Sequence, residues 1–265
     1  MFSSLTNFIN DFRADPVGSL ITFAYLAVVI LFSLIMHECA HGYVALKCGD
    51  PTAKMLGRLT LDPRKHLDPI GTICMVFLRF GWAKPVPINP RNFRNYRRDY
   101  IMVSLAGIVT NLILCLISLL ISAILAHFIW PEDFVKYFSQ IGRKELLLDI
   151  YWNGPAGTVM SGDFITYGMF TDHTALLYVQ RFFLMMAQMN LGLAVFNLLP
   201  VPPLDGYRVL DQFVFKGQLS LSPQTMQYIR IGFMVVLLSG MLSGLLGTVN
   251  STVFGWFSQL FASLI

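Results

Sequence analysis

The run His37-Glu38-Cys39-Ala40-His41 has the residue types and spacing of a metal site. On a helix, positions i and i+4 lie one above the other on one face, so two imidazoles at that spacing can share a single divalent ion. The glutamate between them stands beside the ion and can take a proton from water that the ion acidifies. The bland alternative is a polar helix end resting in a headgroup layer. Context favours the metal, because the run closes a long apolar block, and ionisable groups where a helix meets lipid are costly enough to mark function.

A catalytic zinc takes three protein ligands and keeps one position open. The best source of the third is Asn197-Leu198-Leu199-Pro200-Val201-Pro202-Pro203-Leu204-Asp205-Gly206, where an apolar helix ends at a proline cluster and a carboxylate precedes a glycine. Asp205 is the expected ligand; its competing role is a turn residue that caps the next helix. Asn197 has two readings, a contact to the oxyanion of a tetrahedral intermediate or a helix–helix hydrogen bond. His66 is a further candidate, although Asp68-Pro69 beside it gives a turn or helix-start role the better claim.

The elements that must position these residues are apolar. The chain of 265 residues is 55% hydrophobic and 13% charged, against about a quarter charged in a soluble domain, and its mean hydropathy is +0.61. Val17–Met36, Ile101–Trp130, Phe182–Leu204 and Ile231–Ile265 contain no Asp, Glu, Lys or Arg. About 18 such residues suffice to cross a ~30 Å hydrocarbon layer as a helix. The expected fold is therefore an all-α polytopic membrane protein, a helical bundle of about 4–6 membrane segments with a small membrane-associated extended or β region after the first span. It reads as one domain over 1–265, with spans at 17–46, 100–130, 180–206 and 226–265.

Residues 1–15 read as an interfacial helix or a frayed terminus, and the first apolar block is too long and too acidic in its flank for a secretory signal. Gly244, Gly247 and Asn250 are candidate breaks in the last block. Cys39, Cys48, Cys74 and Cys115 lack any paired spacing and read as small buried residues.

Loop charges set the expected orientation. The 47–99 region is strongly basic, whereas 131–173 is acidic on balance, so the first is expected in the cytoplasm and the second outside. That puts the ends of the first and third spans, with His37, His41 and Asp205, at one depth on the cytoplasmic side. Within the basic region, Ile70–Leu78 is a short membrane-dipping or tilted segment. The proline-dense run Ala83–Pro90 fits an extended edge segment better than a helix. The net charge of +4 suits contact with acidic lipid headgroups rather than nucleic acid.

Several runs together resemble the site-2 protease family, membrane-embedded zinc metalloproteases that cleave transmembrane segments of other proteins. Beyond the two motifs above they are Gly49-Asp50-Pro51-Thr52-Ala53, Gly57-Arg58-Leu59-Thr60-Leu61, His66-Leu67-Asp68-Pro69-Ile70-Gly71-Thr72 and Gly81-Trp82-Ala83-Lys84-Pro85-Val86-Pro87. They match the compact prokaryotic branch across about residues 20–215, in order. The resemblance implies a zinc-dependent endopeptidase with one Zn2+ per chain. Its metal ligands are His37, His41 and Asp205, and its catalytic residues are Glu38 and Asn197. Its partners are membrane-protein substrates and the lipid bilayer, and its location is the bacterial cytoplasmic membrane. No stretch is long enough for a PDZ or nucleotide-sensing (CBS) domain, so none is expected. One departure stands out. The family often carries Ala-Gly-Pro-x-x-Asn in the next span, where this chain reads Ala106-Gly107-Ile108-Val109-Thr110-Asn111. The change reads as a packing variation, with Asn111 outside the site. Two other functions compete: a metal transporter, disfavoured by the absence of an internal repeat, and a catalytically silent membrane scaffold, disfavoured by an intact Glu38.

Overall fold

The computed structural model describes residues 12–13, 16–68, 71, 83–129, 173–219, 221–240, 244, 247–249, 251–253 and 255–256. Its main elements are the helices α1 (Pro16–Lys47), α2 (Thr52–Met55), α3 (Tyr96–Ile129), α4 (Thr174–Asn197), α5 (Asp205–Phe213) and α6 (Pro223–Ser239). Single 3-10 turns occur at Pro63–Lys65 and Pro90–Asn92. Among the described residues three helices, α1, α3 and α4, are long and apolar enough to cross a membrane. The described chain is thus mostly helical, and its spans are consistent with a multi-pass membrane protein.

Helix α6 has 17 residues, about 26 Å of length at 1.5 Å per residue, which falls short of a full crossing. It ends at Gly240 in the left-handed conformation, so the last apolar block breaks ahead of the glycines singled out in the sequence. The expected interfacial helix at 1–15 lies mostly outside the described residues, as do nearly all of the membrane-dipping Ile70–Leu78 and of the 131–173 loop.

The chain divides into two compact units. One comprises Met1–Ile30, Leu114–Leu191 and Gly247–Ile265. Its α4 side chains Leu177, Leu184 and Leu191 are essentially fully buried and fall seven residues apart, on one helical stripe. Polar groups join its helices as well. Gln180 Nε2 donates to the Ser122 carbonyl at 3.2 Å, and the buried Arg181 guanidinium donates to the Thr22 hydroxyl.

The second unit, Leu31–Ile113 with Gly192–Leu246, holds the chemistry. A buried carboxylate organises the turn after α1. Asp50, 0% exposed, accepts from the Thr52 N–H at 3.1 Å, the Thr52 hydroxyl, the Asn89 N–H at 2.7 Å and Asn92 Nδ2 at 2.8 Å. Burial pushes this carboxyl up, but the donors from Thr52, Asn89 and Asn92 outweigh it and hold it below its ordinary value. The proline-dense segment is thereby fastened to the end of α1.

That segment forms neither helix nor ladder from Lys84 to Asn89, and ends extended at Asn89. Among the described residues its β pairing is a single antiparallel bridge, Leu67 to Ala83, with Lys84 N–H donating to the His66 carbonyl at 2.8 Å. Pro85, Pro87 and Pro90 remove the donors that a longer ladder would need.

Two contacts fix α5. A Cβ on Gly206 would lie 2.2 Å from the Leu198 carbonyl oxygen, so only glycine allows the end of α4 to approach this closely. At the other end, Arg97 donates to the terminal carbonyls of Gln212 at 2.9 Å and Phe213 at 3.1 Å, where a cation also complements the helix dipole.

Candidate metal centre

Helix α1 carries His37 and His41 one turn apart, and both are buried. Asp205, the first residue of α5, is buried too. His37 Nε2 lies 3.1 Å from Asp205 Oδ2, His41 Nε2 lies 3.1 Å from the same oxygen, and the two Nε2 atoms are 3.0 Å apart. Three donor atoms, 168 residues apart in sequence at the widest, thus converge on one point.

The surroundings of this triangle test whether a cation belongs there. His41 Nδ1 sits 2.7 Å from the Val103 carbonyl oxygen, which can only accept, so Nδ1 carries the hydrogen and neutral His41 offers a bare lone pair at Nε2. That lone pair faces the second imidazole and a carboxylate. Electron-rich atoms facing one another at this distance need a positive charge between them. Ligand bonds of about 2.0–2.1 Å at tetrahedral angles would set neighbouring donors roughly 3.3 Å apart, close to the spacing seen. The donor set fits a divalent ion of the zinc type.

Glu38 follows His37 on α1 and is half-buried. Its Oε2 accepts from the Val86 N–H at 2.8 Å, so the proline-dense segment holds this carboxylate by its backbone.

Comparison with known proteins agrees with this geometry. The chain matches the peptidase family M50 over residues 25–240. The chain belongs to the M50, or site-2 protease, family. YwhC of Bacillus subtilis, which bears a zinc metalloprotease name, is 37% identical over 91% of this chain and 94% of its own length. Rip2 of Mycobacterium tuberculosis, named in the same way, is 27% identical over 81% of this chain and 66% of its own. No solved structure matches at a significant level. The M50 chain is a metallopeptidase, and zinc is its cofactor, as the sequence motifs lead one to expect.

The run Ala106–Asn111, read from the sequence as packing with Asn111 outside the site, instead lies against His37. Gly107 on α3 faces His37 so closely that a Cβ there would lie 2.4 Å from the ring; only glycine leaves room for the ligand. Asn111, one turn further along α3 and 0% exposed, places Nδ2 3.2 Å from His37 Nδ1. The sequence signal for both was the polar and small pair at 107 and 111 in an otherwise apolar run, spaced to share one face.

Asn197 is half-buried at the end of α4, and its Nδ2 donates to the Leu193 carbonyl at 3.0 Å. Its amide is directed to its own helix. His66 is buried, with Nε2 2.8 Å from the Thr60 carbonyl; it fastens a turn and is not among the converging donors. Cys39 donates to the same Thr60 oxygen at 3.3 Å. Cys39, Cys48 and Cys115 are free thiols.

A cavity of about 140 Å³ lies along the proline-dense segment and the start of α3. Val86, Ile88, Phe93 and Val103 give it apolar walls, with Tyr100 and Arg208 among its polar lining. Val86 is the residue that holds Glu38, and Val103 the one that holds His41.

Proposed function

We propose that this M50 peptidase hydrolyses peptide bonds in or near the transmembrane segments of other membrane proteins. The observation that carries the reading is the His37–His41–Asp205 triangle with Glu38 beside it, built into helices apolar enough to cross a bilayer. The zinc metalloprotease names of YwhC and Rip2 point the same way.

Zinc, when bound by His37, His41 and Asp205, supplies Lewis acidity that acidifies water and polarises a carbonyl. Glu38 acts as general base, taking the proton of the attacking water, and then as general acid, returning it to the leaving amine. The Val86 N–H on Oε2 steadies that carboxylate. Asn197 is the proposed contact to the oxyanion, for which it would release the Leu193 carbonyl.

A helical carbonyl is shielded by its own hydrogen bond, so the substrate must unwind before attack. The backbone of 84–89, neither helix nor ladder and next to Glu38, suits pairing with an unwound strand. The neighbouring cavity matches a medium-sized apolar side chain, since a void of about 150 Å³ holds benzene. The basic 47–99 region supports an active site toward the cytoplasm; the bacterial cytoplasmic membrane follows from the family resemblance, and the bundle of 4–6 segments from the apolar runs of the sequence.

The test uses purified chain in lipid vesicles with a panel of fluorogenic transmembrane peptides. Glu38→Gln is expected to keep its zinc and lose hydrolysis by about 10²–10⁴-fold, whereas Asp205→Ala loses the metal as well. Cleavage by Glu38→Gln at the wild-type rate would sink the assignment.

A further inference from the structure

The two imidazoles of the centre are held differently, and the difference bears on how the metal is received. His41 Nδ1 faces the Val103 carbonyl, an obligatory acceptor, at 2.7 Å. His37 Nδ1 faces the side-chain amide of Asn111, whose ends are a donor and an acceptor. With Nδ2 toward the ring, Nδ1 would have to accept, and the hydrogen of neutral His37 would sit on Nε2, aimed into the donor triangle. That tautomer cannot ligate an ion through Nε2. The same placement leaves Asn111 Oδ1 buried with no partner, which costs about 1–3 kcal/mol. The oxygen and nitrogen of an amide are told apart only by their hydrogen-bonding network. Here the metal reading decides, because exchanging the two ends lets Oδ1 accept from His37 Nδ1–H and frees Nε2 for the ion.

We propose that Asn111 is a positioning residue that accepts a hydrogen bond from His37 Nδ1–H through Oδ1, and so fixes the tautomer in which His37 Nε2 is open to zinc. The inference rests on the metal reading above and adds to it a residue that none of the three ligand positions includes. Asn111 does for His37 what the Val103 carbonyl does for His41, so α3 orients both rings. Gly107 completes the arrangement, since a side chain there would push the His37 ring off the line to Asn111. Partners that orient a metal-bound imidazole in this way typically contribute 10–100-fold in affinity.

The experiment measures zinc affinity of the full chain in detergent by competition with a chelator, for wild type and for Asn111→Leu, Asn111→Ala and Asn111→Asp. Thermal unfolding of the zinc-free proteins is followed alongside. Leu and Ala, which cannot accept, are expected to weaken zinc binding by about 10–100-fold. Asp, which can only accept, should stay within a few-fold of wild type or bind more tightly. Should Leu prove poorly folded, Ala carries the comparison. Equal affinity in wild type, Leu and Ala would overturn the proposal, and so would an Asp variant as weak as Ala, because that pattern means that the amide N–H was the needed group. A wild-type chain that binds no zinc would instead overturn the metal reading and take this proposal with it.

Discussion

Both compact units bury polar side chains among apolar helices, yet among the described residues only one of them forms a centre. In the unit built from Met1–Ile30, Leu114–Leu191 and Gly247–Ile265, buried polar groups meet a backbone carbonyl or a hydroxyl of another helix: Gln180 on Ser122 and Arg181 on Thr22. In the other, His37, His41 and Asp205 point at one another, with Asn111 and Val103 behind them. The first arrangement ties helices together. The second leaves a point where several lone pairs meet, and only a cation resolves it. Burial of polarity is therefore a weak mark of function, and convergence of donors a strong one.

Substitutions in the two units should separate these roles. The largest effect is expected at Gly107. Gly107→Val drives a side chain into the His37 ring and should lower zinc affinity by well over 10-fold, an effect read by chelator competition. Gly192 on α4 is the control, since a Cβ there meets nothing within 4 Å. Gly192→Ala should leave zinc binding untouched and raise thermal stability slightly, because alanine favours the helix by about 0.8–1.0 kcal/mol.

Next in size is Asp50, which acts on the framework and not on the metal. Asp50→Asn puts an amide among donors that need an acceptor, and a cost of about 1–3 kcal/mol is expected in unfolding experiments. Its pH dependence has a definite sign. The folded carboxyl is held below its ordinary value of 3.8, so its contribution is present above that pH and fades as pH falls through the lower folded value. Wild type should therefore lose its advantage over Asp50→Asn in acid, below about pH 3.8. A gap between the two that persists unchanged at pH 2 would refute this role.

The smallest effect belongs to the helix-tying group. Gln180→Leu should cost about 0.6 kcal/mol, the mean for hydrogen bonds between membrane helices. It should leave both zinc content and hydrolysis as they are. If it lowered zinc content, the contrast between the units would collapse.

The candidate ligands were readable in the sequence because residue type and spacing single them out, and the structure brings the three together. Two histidines four apart on an apolar helix, and one aspartate after a proline cluster, leave few alternatives. Span limits were harder to read. A search for charge-free runs starts the third span near 182, whereas α4 begins at Thr174, because Arg181 is buried inside the helix and bonded to Thr22. Charge marks a helix end only when the charge meets water. Asn111 was passed over for a related reason. The missing proline at 108 drew attention to packing, and nothing in the order of residues shows that α3 turns its 103, 107 and 111 positions to the two imidazoles. That fact lives in helix contact, which spacing within one segment does not encode.

Helix α3 contributes no atom to the triangle, yet Val103, Gly107 and Asn111 follow one another at four-residue steps along its side. Each residue advances an α-helix by about 100°. Inserting one amino acid between Arg97 and Val103 would therefore swing that whole side away while every ligand stayed in the chain. The enzyme's ability to load its ion is thus written partly as a register, a property that no point substitution at the ligands would disclose.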